Sequence, residues 1–235
     1  RACDLVTTVS EGLSDALTKI TDTCVDVIYN GFDPEEYTVI TDNPRKDNPK
    51  IVISYLGSIY KGSRDPEPLF AALAELISEH KINEAEFELN FAGPNTDVKD
   101  LAQKYKLDNS YHFLGKLSRR ESLQLQYDSD ILLFLESEHK TKGILTGKLF
   151  EYISLGREIV AIGITGNNDA GKLIEASGIG FCLGTDIEKI KKWVLEHFEN
   201  KCGVKVSDYS AVNKFTREVQ AEQLLRRIAD SIKLI

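Results

Sequence analysis

The segment 143–163 (GILTGKLFEYISLGREIVAIG) gathers residue types suited to holding a phosphate and a sugar. Gly143, Thr146, Gly147 and Lys148 make a polar, glycine-bearing loop that feeds a helix carrying Leu149, Phe150, Tyr152, Ile153 and Leu155. Gly156 ends that helix, and 159–162 reads as a buried strand. A glycine loop entering a helix offers backbone N–H groups without an intrahelical partner at the positive end of the helix dipole, and both favour a phosphate. Glu151 falls in the first turn of the same helix. A carboxylate there can accept hydrogen bonds from sugar hydroxyls, as acidic residues do for ribose in dinucleotide sites. The chemistry indicated is that of a nucleotide, or of a nucleotide joined to a second group.

A plainer reading of the same residues exists. Loops run into helices in every α/β protein, and an acid near a helix N-terminus is favourable for the dipole alone. Capping does not account for the acid, however. A capping box needs Glu or Gln three residues after the cap, and from Thr146 that position is Leu149. Lys148 and Glu151 are also spaced as an ordinary i,i+3 surface ion pair, which contributes little.

The elements that would position these residues read as an alternation. At the start, 5–9 is a β-branched strand, 11–19 a short helix with Ser10 as N-cap, and 25–29 a second strand closed by the turn signal Asn30-Gly31. A polar stretch at 41–49, rich in Asn, Pro and charge, reads as a linker. Strands are then expected at 51–56, 87–92, 111–114, 131–135, 159–162 and 180–183. Helices are expected between and after them at 68–80, 98–105, 119–128, 148–155, 170–176, 187–198 and 208–232. Short apolar strands alternating with amphipathic helices predict an α/β fold, a Rossmann-like parallel sheet with helices on both faces. Ligands of such sheets sit at the carboxyl ends of the strands. The loops there begin at Gly57-Ser58 and run through Lys61 to Arg64, and continue with Gly93-Pro94-Asn95, Gly115-Lys116-Leu117-Ser118 and 136–148. Lys and Arg in these loops could neutralise a diphosphate. Arg64 has Asp65 and Glu67 as alternative ion-pair partners, Arg157 reads as a charge at a helix C-terminus, and Trp193 reads as packing.

Composition narrows the function. A net charge of −8 over 235 residues disfavours nucleic acid and anionic membrane surfaces as main partners. No apolar run approaches the about 18 residues of a membrane-spanning helix. Cys3, Cys24, Cys182 and Cys202 are scattered and expected to be reduced thiols, and His80, His112, His139 and His197 have no metal-ligand spacing. The chain lacks Met and opens on Arg1 inside an apparent structural element, so a piece of a longer protein is expected.

Taken together, these residues resemble the C-terminal half of a GT-B glycosyltransferase, with family 4, whose members use nucleotide sugars, as the nearest pattern. The resemblance runs over almost the whole chain: DLVTTVS at 4–10 with VIYNGFD at 27–33, LGSIYKG at 56–62, FELNFAG at 87–93, FLGKLS at 113–118, and KLFEY at 148–152 with LGREIVAI at 155–162. It implies that 1–40 is the end of an acceptor domain and the crossing between domains. It further implies a Rossmann-like nucleotide-sugar-binding domain at 50–207 and a helix at 208–235 returning toward the other domain. Carried over by position, Glu151 would bind the donor ribose and Lys61 the diphosphate, with Gly57 and Ser58 in the phosphate-proximal loop. Thr146, Gly147 and Lys148 would meet phosphate mainly through backbone N–H groups, Gly115, Lys116 and Leu117 would hold the base, and Asn30 and Gly31 would line the interdomain cleft.

The implied activity is transfer of a sugar from a nucleotide diphosphate to a glycan, lipid-linked or small-molecule acceptor held by a missing N-terminal domain. The resemblance implies retention of configuration, no structural metal and no cofactor beyond the sugar donor. This chain alone is expected to be inactive. The expected location is cytoplasmic, with the inner face of the membrane reached, if at all, through the missing domain. Two alternatives stand beside this reading: a nucleotide-sugar epimerase, and a non-catalytic nucleotide-sugar-binding module. The pattern departs from the family at one place that bears on them. Many members carry a glutamate eight residues before the ribose-binding one, and that position here is Gly143.

Overall fold

The computed structural model describes residues 3–21, 23–37, 48–60, 63–136, 143, 145–200 and 210–233. A small unit comes first. Strand β1 (Val6–Thr8), helix α1 (Glu11–Thr21) and strand β2 (Val25–Val27) form a β-α-β turn whose two strands pair in parallel. Ser10 caps α1 as expected, its hydroxyl accepting from the Leu13 N–H at 3.1 Å.

The main body alternates strand and helix: β3 (Ile51–Leu56), α2 (Glu67–Ser78), β4 (Phe87–Ala92), α3 (Lys99–Tyr105), β5 (Tyr111–Gly115), α4 (Arg119–Asp128), β6 (Ile131–Leu135), α5 (Gly147–Ser154), β7 (Glu158–Ile162), α6 (Asp169–Ala176), β8 (Gly180–Gly184) and α7 (Ile187–Asn200). The strands make one six-stranded sheet in the order β5-β4-β3-β6-β7-β8, parallel throughout. Every residue of β3, β6 and β7 is buried. That is why these strands read as continuous apolar runs rather than as polar–apolar alternation. Successive side chains still point to opposite faces. Ile131, Leu133 and Leu135 join a core with Phe70, Phe91 and Trp193 on one side. Leu132 and Phe134 join Leu149, Phe150 and Ile174 on the other.

The chain leaves β3 in one direction to β4 and β5, then returns past β3 to β6, β7 and β8. The reversal lies between β3 and β6, and crevices at such a switch point, outside the carboxyl ends of the strands, are where doubly wound sheets bind ligands.

One expectation fails. The final helix is not continuous from 208 to 232: a short helix α8 (Ser210–Asn213) is separated from α9 (Arg217–Lys233). At the break Phe215 is buried against Tyr29 and Phe150, with ring centroids 5.6 and 5.4 Å away. Thr216 forms a parallel bridge with Phe32. The Phe32 N–H donates to the Phe215 carbonyl at 3.1 Å and the Arg217 N–H donates to the Phe32 carbonyl at 2.9 Å. Gln220 ties the same place from its side chain, accepting from the Tyr29 N–H at 2.7 Å and donating to the Lys214 carbonyl at 2.7 Å. Backbone groups of 215–217 are thus spent on the 29–32 segment, which a continuous helix would not allow.

Candidate functional site

A cleft of about 330 Å³ opens at the carboxyl ends of β3 and β4. Its floor is made by close backbone packing. The Gly57 N–H donates to the Ala92 carbonyl at 2.9 Å and the Gly93 N–H to the Gly115 carbonyl at 2.7 Å. A Cβ on Gly93 would lie 2.0 Å from the Gly57 carbonyl oxygen, so only glycine fits there. Of the residues expected from sequence, Gly57, Lys116, Leu117, Lys148 and Glu151 line the cleft. Gly115 ends β5 with φ +64, turning the chain into the Lys116–Leu117 wall. Ser58 is engaged below, its carbonyl accepting from the Tyr55 hydroxyl at 2.9 Å and from Arg64 Nη1 at 3.2 Å. Lys61 and His139 lie outside the described residues.

Lys148 is the least ordinary member of the site. The sequence allows it a surface ion pair with Glu151, and that pair does not form. Its ammonium is buried, has no hydrogen-bond partner among the described residues, and sits over the Tyr55 ring at 4.4 Å and the Phe134 ring at 5.5 Å. It lies beside Gly57, where an added Cβ would come within 3.2 Å of Nζ. Burial, reinforced by the nearby positive charge of Arg64 and opposed by Glu136 and Glu151, pushes its pKa down to about 7. The ring faces stabilise the cation in part. A buried charge without a bonded partner is nevertheless costly, and an arriving anion would relieve that cost.

The helix start beside it is equally open. Thr146 is the N-cap residue of α5, yet its side chain makes no capping bond and its hydroxyl, buried, has no partner among the described residues. The Asn30 side-chain amide donates to the Leu145 carbonyl at 3.0 Å, which fixes the approach of this loop. Arg64 does not pair with Asp65 or Glu67 as its neighbours suggest. It faces Glu136 at 4.0 Å, while Glu67 bonds Lys104 and Tyr105. Arg157 lies over the Tyr127 ring at 4.9 Å, away from the cleft.

Glu151 lines the cleft from α5, just past the first turn in which the sequence puts it, because the helix begins one residue earlier, at Gly147. Its Oε1 accepts from Arg119 Nη1 at 2.8 Å, and Arg119 Nη2 bonds Glu36. Arg119 also lines the cleft and was not singled out by sequence. The signal that could have found it is the pairing Ser118-x-x-Glu121. The Ser118 hydroxyl accepts from the Glu121 N–H at 3.3 Å and the Glu121 carboxylate from the Ser118 N–H at 2.8 Å. This capping box starts α4 at the end of the Lys116–Leu117 loop and so presents the first helical side chain at the cleft.

Gly143 has φ +81, and its carbonyl accepts from the Ser10 hydroxyl. A Cβ there would lie 2.9 Å from the Leu13 backbone nitrogen. The start of α1 therefore fills the space into which a side chain at this position would extend.

No protein-family model matches the chain, and neither does any curated protein sequence. Solved structures do match its fold. The chain is similar to a glycosyltransferase from Rickettsia africae at 17% identity and TM-score 0.75, covering 97% of this chain and 64% of that one. It is similar to HepE of Anabaena, solved with UDP and glucose, at 16% identity and TM-score 0.72 with the same coverage. WaaG, a glycosyltransferase involved in lipopolysaccharide biosynthesis, matches at 14% identity and TM-score 0.62, covering 82% of this chain and 53% of that one. The chain thus spans 64% of the length of the first two structures. At these identities the likeness shows the fold, a Rossmann-like sheet of the GT-B type.

Proposed function

We propose that this chain is the donor-binding half of a glycosyltransferase that moves a sugar from a nucleotide diphosphate to an acceptor held by a further domain. The observation that carries the reading is the buried Lys148 ammonium, with no hydrogen-bond partner among the described residues, lining a cleft at the switch point of the sheet together with Glu151. In this reading the diphosphate lies between the Gly57 turn and the start of α5, where Lys148 and the helix N-terminus meet its charge. Glu151 receives the ribose hydroxyls, and the Gly115–Leu117 loop faces the base. Departure of the nucleoside diphosphate is aided by fixed positive charge at Lys148 and at the helix start, with Lys61 as the further cation that the sequence resemblance implies. The similarity to HepE, solved with UDP and also with UDP-glucose, supports a nucleotide-sugar ligand.

A second reading has its own observation. A glutamate at position 143, common in the family that the sequence resembles, has no room beside Leu13. That favours a nucleotide-sugar-binding module without transfer, if no other group takes over at the sugar.

Calorimetric titration of this chain with UDP, GDP, ADP and their sugar conjugates tests the donor site. Saturable binding of one diphosphate, lost in Glu151→Ala, is expected. Absence of binding by all of them at millimolar ligand would sink the reading. Product analysis with the full-length protein then separates transfer from binding alone.

A further inference from the structure

Arg119 stands where two carboxylates from distant parts of the chain converge. One arm of its guanidinium bonds Glu151 Oε1 at 2.8 Å and the other bonds Glu36. Glu36 belongs to the helical turn at 35–37, which is itself seated on the main body. Tyr37 is buried in the core formed by α5 and β6, its ring meets Phe32 at 6.2 Å, and its hydroxyl lies at Ser154 of α5. The turn therefore touches both ends of one arrangement: Tyr37 packs on the helix that carries Glu151, and Glu36 holds the arginine that grips Glu151.

A carboxylate offers about four acceptor lone pairs. Arg119 uses one on Oε1, which leaves the rest of the group free to receive two hydroxyls. A glutamate side chain on a helix has several rotamers, and holding it in one before the ligand arrives removes an ordering cost from binding. A planar fork suits this task better than an ammonium because its donors are fixed relative to one another. Arg119 is also half exposed at the cleft wall, so its bond to Glu151 is made at the edge of the ligand space rather than in place of the ligand.

We infer that Arg119 is a positioning residue for ribose recognition, which orients the Glu151 carboxylate toward the sugar diol and draws that orientation from Glu36 on the 35–37 turn. The inference rests on the donor-site reading and adds to it a residue, a partner and a specificity. Discrimination between a ribonucleotide and its deoxy counterpart depends on Arg119, although Arg119 does not touch the ribose.

The test titrates this chain with UDP, GDP and ADP, each beside its 2′-deoxy form, and with inorganic pyrophosphate, for the unaltered protein and for Arg119→Ala, Arg119→Lys and Glu36→Gln. The unaltered protein is expected to prefer the ribo form about tenfold, the worth of one hydrogen bond to a charged group. Arg119→Ala is expected to bring that preference close to parity while pyrophosphate affinity changes less than threefold, on the order of the smallest effect attributed to a bond. Arg119→Lys and Glu36→Gln, which leave the fold least disturbed, are expected to lower the preference part of the way. A ribo preference that survives in Arg119→Ala overturns the inference. So does a fall in pyrophosphate affinity with the preference intact, which would make Arg119 a phosphate contact. If the unaltered protein binds none of the nucleotides, the donor-site reading falls, and this inference with it.

Discussion

The Lys148 ammonium, on α5, lies 4.4 Å from the centre of the Tyr55 ring on β3, and no carboxylate among the described residues is bonded to it. The arrangement trades stability for an electrostatic position at the mouth of β3. Lys148→Met keeps the length of the side chain and removes the charge. It is expected to stabilise the free protein by about 1 kcal/mol, or roughly 2–4 °C for a chain of this size. It is also expected to weaken nucleotide-diphosphate binding about tenfold or more. Thermal melts and titrations on the same preparation check both signs. A variant that loses both stability and binding would show that Lys148 is held for packing.

The lowered pKa of Lys148 sets a pH dependence. Burial, then Arg64, hold it at about 7 in the folded chain. In the unfolded chain a lysine titrates at about 10.4. Between those values the unfolded state binds more protons than the native state, so this group makes unfolding free energy rise with pH across that window. A bound diphosphate restores the charge, so binding of a sugar nucleotide at pH 8 should take up close to about one proton. Calorimetry in buffers of different ionisation heats measures the uptake, and Lys148→Met should abolish it.

A second titrating group tests packing far from the cleft. Glu158, fully buried at the start of β7, lies 3.0 Å from His197 Nε2 and accepts from Trp193 Nε1 at 3.1 Å. Burial alone would lower the His197 pKa, but the bonds to Glu158 and to the Trp193 carbonyl outweigh it and the pKa is raised. The stability from this pair is complete below the ordinary histidine range and is lost as pH rises through the raised value. NMR titration of the imidazole should find it above about 6.5. Glu158→Gln should return it toward or below that value.

Gly143→Glu restores the residue that the family pattern has at this place. It is expected to destabilise the protein by about 1–3 kcal/mol from backbone strain alone, since φ there is +81. The contact with Leu13 adds to that loss. It should bring no gain in sugar-nucleotide affinity. A variant that melts with the unaltered protein would mean that this loop leaves α1 at little cost.

The alternating architecture was legible because strands covered on both faces must be apolar throughout, as 131–135 and 159–162 are. The place of Glu151 at the cleft was legible because the loop before α5 sets where that helix starts. The break at Lys214–Thr216 was not, for no Gly or Pro marks it. Phe215 and Thr216 leave the helix only because Tyr29, Phe150 and Phe32 are there to receive them. The state of Lys148 was hidden for a related reason. Beside Glu151 it has the spacing of a solvated pair, and only the docking of α5 on β3 turns it inward over Tyr55. Arg119 was passed over because Arg119-Arg120-Glu121 reads as a charged helix start, while its two acids lie 83 and 32 residues away.

The two hydrogen bonds between Phe32 and the 215–217 segment lay one outgoing and one returning strand of chain side by side. Gly31 has no space for a side chain, with Arg217 and Phe215 backbone atoms 2.8 Å from where one would begin. The β1-α1-β2 unit is thus laced to the main body at two ends, here and where the Gly12 N–H donates to Asp169, and Asn30 and Glu36 between them are moored to Leu145 and Arg119.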